Sequence, residues 1–174
     1  MQALHFILTA LFTLFVIAFL LRVLLPLVRA DFRNPFGEAV LKVTNPLVLP
    51  LRKFMPAGKR IDPSSVVALL IVQFVGTALL QGVAGGHLGL ESILLGGLRG
   101  LLQTVLQFYF FAVLLYALLS WFAGAAYSPA AQILSRLVEP LLAPIRRVVP
   151  PLGGLDLSAV FLLIALQALQ ILLR

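Results

Sequence analysis

The polar residues of this chain that could do chemistry come in matched pairs, 94 residues apart. Arg52-Lys53 is answered by Arg146-Arg147, Asp62 by Asp156, Ser64 by Ser158 and Gln73 by Gln167. Pro46, Pro50 and Pro56 are answered by Pro140, Pro144 and Pro150. Twin cations at a fixed distance from an acid are groups for holding anions. They anchor at anionic headgroups, at about 1 kcal/mol per charge, or they make a specific contact with a lipid, a partner or the loop's own aspartate. Asp62 and Asp156 stand where a helix begins, as N-caps do. Acid–base or nucleophilic chemistry has no such foundation. The histidines are His5 and His87, there is no cysteine, and six acids are scattered among basic loops. No metal-ligand spacing, nucleophile elbow or pair of intramembrane carboxylates occurs. The chain reads as a non-enzyme without metal or cofactor.

The pairs belong to a longer correspondence, in which residues 34–80 align with 128–174 without a gap. Twelve of the 47 positions are identical, and eight of these are Pro, Arg, Asp, Ser or Gln rather than interchangeable aliphatics. That selects duplication of a unit over chance likeness between two greasy segments. The expected organisation is a first repeat over 1–81, a glycine-rich linker over 82–100 and a second repeat over 101–174. The linker holds seven of the thirteen glycines, without the spacing of a phosphate-binding loop, and predicts a short interfacial helix around 90–95.

What positions these residues is set by composition. The chain is 61% hydrophobic and 11% charged, against roughly 45–50% and 25% in ordinary soluble domains. Long apolar runs predict an all-α membrane protein with four transmembrane helices, at about 3–28, 63–81, 101–123 and 157–173. The first run lacks the basic start and small-residue cleavage site of a signal peptide and reads as a retained span. Ten of thirteen basic residues fall in the segments 29–63 and 124–157, and only Arg99 falls between spans two and three. The positive-inside rule then places loops 29–62 and 124–156 in the cytoplasm and both termini in the periplasm. Two-span repeats enter the bilayer in the same orientation, so a pseudo-two-fold axis along the membrane normal is expected. The net charge of +7 reads as this bias, not as nucleic-acid binding.

Each duplicated loop predicts an amphipathic interfacial helix, through 36–43 and 130–138, capped by Asn34 or Ser128 with proline at the first helical position. Pro46 and Pro140 are expected to break it, and Pro50 and Pro144 to prevent a clean restart. Asp62 and Asp156 are expected to tie each loop to the following span through Arg52 or Arg146. Gln73 and Gln167 lie about 16 Å into their spans. Each serves as interhelical glue, mutual across the axis, or lines a narrow polar path. Arg22 is the one charge within the first span and is expected to snorkel to the interface. Its counterpart is the uncharged Tyr116.

The run Glu139-Pro140-Leu141-Leu142-Ala143-Pro144-Ile145-Arg146-Arg147, followed by Pro150-Pro151-Leu152-Gly153-Gly154-Leu155-Asp156-Leu157-Ser158, closely resembles the signature of the YggT (YlmG) family of small integral membrane proteins. In the first copy Asn45-Pro46 replaces Glu-Pro and Lys59-Arg60 replaces Gly-Gly. The resemblance implies a multi-pass protein of the bacterial inner membrane with two tandem modules. It carries over Pro140, Pro144, Arg146, Arg147, Pro150, Gly153, Gly154, Asp156 and Ser158 as motif residues. It also implies links to osmotic or potassium-stress tolerance in bacteria, and to cytochrome assembly and membrane organisation in plastids.

Two functions follow as expectations. One is a non-catalytic scaffold or assembly factor, whose cytoplasmic Pro/Arg loops bind anionic phospholipid or an unidentified membrane or cytoplasmic protein. The other is a small channel or transport accessory, with homo-oligomers lining a pore by Gln73 and Gln167. No span carries an acid, which a cation path usually needs, so the scaffold is preferred.

Overall fold

The computed structural model is all-helical and describes residues 2–28, 35–55, 58, 61–86, 88–121, 128–147 and 156–173. The helices are α1 (Gln2–Leu27), α2 (Pro35–Arg52), α3 (Pro63–Val83), α4 (Leu90–Trp121), α5 (Pro129–Arg146) and α6 (Leu157–Leu172). Three of them, α1, α3 and α4, are long and apolar enough to cross a membrane. At 1.5 Å per residue, α6 with its 16 residues is about 24 Å long.

The same triangle of contacts occurs twice. α1, α2 and α3 pack on one another, as do α4, α5 and α6. Phe19, Val48, Ala68 and Val72 form part of the first core. The residues 94 positions later, Val113, Leu142, Leu162 and Leu166, form part of the second. The amphipathic helices α2 and α5 thus wedge against the ends of the other two helices of each triangle, each burying one face. In α2 the stripe is Gly37, Val40, Thr44 and Val48, the three-to-four spacing of one helix face. A third cluster joins the triangles, with Leu21 and Leu25 of α1 meeting Val40 of α2 and Ile133 and Leu137 of α5.

Two expectations are corrected. First, neither pair of prolines breaks its helix, since α2 runs through Pro46 and Pro50, and α5 through Pro140 and Pro144. All four prolines are exposed, so the carbonyls left without a donor face outward, where water or headgroups reach them. Second, no separate interfacial helix fills 90–95, because α4 is continuous from Leu90 and the linker shrinks to 84–89. The glycines inside α4 are there for close approach. A Cβ on Gly97 would lie 2.5 Å from the Phe74 ring, and one on Gly100 2.9 Å from the Gln73 amide. The outer contacts of the two triangles differ, since α3 packs on α4 as well as on α1 and α2, whereas α6 packs chiefly on α4 and α5.

Candidate functional site

The duplicated loops fold into two clasps at the same end of the molecule. In the first, Arg52 at the last turn of α2 reaches Asp62, the residue before α3, with Nη2 2.5 Å from Oδ2. Ser65 donates to the same carboxylate oxygen at 2.9 Å. From α1, Arg22 joins this network. Its Nε donates to Ser65 at 3.2 Å, and its Nη1 donates to Thr44 Oγ1 at 2.6 Å and Asn45 Oδ1 at 2.7 Å. Arg22 therefore does not snorkel. It is 5% exposed, because α2 and the start of α3 lie over it and supply hydrogen bonds that a buried guanidinium requires.

In the second clasp one arginine does more. Arg146 holds Asp156 Oδ2 through Nε at 3.0 Å and Nη2 at 2.6 Å. Its Nη1 takes both oxygens of Glu139, at 3.0 and 2.8 Å, and Nη2 donates to Tyr116 at 3.2 Å. This is the planar fork in full use, which a lysine cannot reproduce. Asp156 also caps α6, accepting from the Ser158 N–H at 3.1 Å and from the Ser158 hydroxyl. Asp62 makes no such cap bond to α3. Ser128 does cap α5, accepting from Ala131 N–H at 3.1 Å.

Partial burial opposes ionisation of Asp62, but hydrogen bonds, led by that from Arg52, outweigh it and lower its pKa. Asp156 shows the same balance, with Ser158 and Arg146 as the donors. Arg146 is shifted the other way, held charged chiefly by Asp156.

The clasps are built at equivalent positions from exchanged parts. Tyr116 stands 94 residues after Arg22, and Glu139 stands 94 after Asn45. The first clasp combines two arginines with one aspartate, for +2 − 1 = +1. The second combines one arginine with two acids, for +1 − 2 = −1. Sequence reasoning paired each arginine with its aspartate but missed Thr44, Asn45, Ser65, Glu139 and Tyr116 as partners. The signal was the double exchange itself, visible when the copies are written one above the other.

Other sequence candidates fall elsewhere. Lys53 and Arg147 are exposed beyond the clasps. Gln73 is 2% exposed between α3 and α4, whereas Gln167 faces outward on α6. The two glutamines therefore do not bond across an axis, because α3 is covered by α4 and that face of α6 is uncovered. Asn34, Pro56, Pro150, Gly153 and Gly154 lie outside the described residues.

The helices flanking the clasps differ in their outward faces. On α2, Phe36, Val43 and Leu49 are exposed beside Lys42, with Phe54 86% exposed just after the helix. On α5 the exposed residues include Gln132, Arg136 and Glu139, and its large aliphatics turn inward.

Long apolar helices, joined at one end by two braced amphipathic helices, define a small helical protein suited to a bilayer. The chain belongs to the CCB3/YggT family, which it matches over residues 1–83 and 95–174. It is 37% identical over 169 residues to an uncharacterised protein of Pseudomonas aeruginosa, covering 96% of this chain and 86% of the relative. It is 35% identical over 170 residues to the uncharacterised protein YggT of Escherichia coli, covering 98% and 88%. A Vibrio alginolyticus protein from the proC 3' region is 35% identical, covering 96% and 91%. No solved structure matches the chain.

Proposed function

We propose that this protein is a non-catalytic scaffold or assembly factor of the bacterial inner membrane. It crosses the bilayer four times, with both clasps on the cytoplasmic side and both termini in the periplasm, in keeping with the distribution of its basic residues. The observation that carries this reading is the internal engagement of the recurring charges. Arg52, Asp62, Arg146 and Asp156 hold one another, so they brace α2 and α5 rather than attack or protonate a substrate. Binding then belongs to what the braces present. The apolar and cationic margin of α2, with Lys42, Lys53 and Phe54, suits anionic headgroups. The polar face of α5, with Gln132, Arg136 and Arg147, suits a protein.

The channel reading meets an obstacle in the fold. Apart from the Arg22–Ser65 contact, the polar side chains that line the space between α1, α3 and α4 lie in the half remote from the clasps. Toward the clasps the space between α1 and α4 is walled by Ile17, Phe108, Phe111 and Leu115, a lining that water enters poorly.

Photo-crosslinking in living cells tests the proposal, with benzoylphenylalanine at Phe54, Gln132 or Arg136. Discrete protein adducts from 132 and 136, and lipid adducts from 54, are expected. Absence of adducts from α5, together with Gln73-dependent potassium flux in liposomes, would overturn it in favour of transport.

A further inference from the structure

Two cavities of opposite character meet between the helices. Toward the clasps, α1, α4 and α5 flank an apolar groove of about 380 Å³. Remote from the clasps, α1, α3 and α4 surround a polar space of about 400 Å³. Both volumes fall in the roughly 300–1,000 Å³ typical of small-molecule sites. Thr13, Thr104 and Gln107 line both, so the two cavities adjoin at these residues. The polar space in turn adjoins a further cavity past His5, Thr9 and Ala84.

The groove is walled by Ile17, Leu21, Phe108, Leu134 and Leu137, and its rim includes Phe36, Phe111 and Leu115, all exposed. Along α4 it runs from Phe108 to Leu119, about 16 Å at helical rise. It is therefore long, apolar and open sideways, where a bilayer would supply hydrocarbon.

The polar space offers both halves of the hydrogen bond. Thr9, Thr13 and Thr104 donate to carbonyls of their own helices at 2.8–2.9 Å, so their oxygens keep acceptor capacity. Gln107 supplies donors and an acceptor together. It is exposed where the two cavities meet, and it makes no hydrogen bond among the described residues. An amide facing hydrocarbon without a partner is costly. Neither cavity is lined by a carboxylate, an ammonium or a guanidinium, and His5 is the one ionisable side chain among the lining residues. A charge drawn into them would be uncompensated.

We propose that the paired cavities bind an uncharged amphiphile, with its hydrocarbon tail in the groove and a hydroxyl-bearing head in the polar space against Gln107 and Thr104. A hydroxyl both donates and accepts, as this lining does. A bulk lipid tail or a helix of a second copy would fill the groove without using the polar space. The inference rests on the bilayer setting of the proposed function, not on the scaffold role. Binding read in micelles involves neither membrane orientation nor partners, so its failure would leave the scaffold reading standing.

The chain has a single tryptophan, so Trp121→Phe gives a dark background for a reporter. Leu115→Trp places it in the groove, and Ile164→Trp places the control on the open face of α6. Three probes with the same chain, brominated at mid-length to quench tryptophan, are titrated into detergent micelles. They are a monoacylglycerol, an alkyl sulfate and an alkane. The monoacylglycerol should quench position 115 at about tenfold lower concentration than position 164, and than either other probe at 115, the worth of one or two hydrogen bonds. Thr104→Val with Gln107→Leu should weaken the monoacylglycerol about tenfold and leave the alkane unchanged. Equal quenching at the two positions would make the tail a bulk lipid and overturn the proposal. Quenching at 115 that ignores the head, or that survives the double substitution unchanged, would overturn it as well.

Discussion

Replacing Arg146 separates a built clasp from generic electrostatic anchoring. Arg146 makes five hydrogen bonds to three residues from three helices or their caps. Among the described residues Arg52 makes one, to Asp62. Their side chains are 30% and 47% exposed, so solvent screens both, Arg52 more strongly. A charged hydrogen bond contributes about 1.5–3 kcal/mol where water is excluded, and an exposed ion pair only about 0–1. The two bonds to Asp156 lie between these limits and the Glu139 pair near the lower one, so Arg146→Ala should cost about 2 kcal/mol. Arg52→Ala should cost about 0.5 kcal/mol. Arg146→Lys keeps the charge but not the fork, and should recover less than half of the loss. Removing Arg146 also leaves Glu139 and Asp156 without their shared cation, so adding Glu139→Gln should restore part of the stability. The assay is equilibrium unfolding in mixed micelles, followed by the single tryptophan. Equal stability of Arg146→Lys and the native chain, or equal losses from the two alanine variants, would refute the clasp argument.

Three further outcomes follow from the same structure. Thr44→Val preserves shape but removes the oxygen that accepts from buried Arg22, and should cost about 1.5–3 kcal/mol in the same unfolding assay. Valine already stands at the equivalent position 138, where the residue facing it is no longer arginine. Gly97→Ala drives a methyl into the Phe74 ring and should cost about 1–3 kcal/mol. Phe74→Ala should relieve that clash, so the double variant loses less than the sum. Asp62 and Asp156 have folded pKa values below the ordinary one. Their stabilising contribution is therefore present above about pH 3.9, and is lost as pH falls through the lowered folded values. In unfolding titrations the acid-side loss should flatten in the Asp62→Asn, Asp156→Asn double variant.

The sequence by itself determined the helical class, the apolar character, the family and the placing of the clasps. These rest on local or periodic signals: long apolar runs, a 94-residue correspondence, and an aspartate ten residues after each arginine. Tertiary structure decided whatever depends on which neighbour covers a face. Pro46 and Pro140 read as breakers, yet the helices continue because those prolines lie outward, where a missing N–H costs little. Gln73 and Gln167 are identical in the alignment, but one is enclosed and the other exposed, since α4 covers α3 while that face of α6 is open. Arg22 read as a snorkelling residue because its partners lie 22–43 positions away on α2 and α3. The hydrogen-bond partners of the threonines and glutamines between α1, α3 and α4 were likewise beyond any reading of residue types. Thr and Gln carry donors and acceptors alike, and only the folded geometry decides which half of each is already engaged.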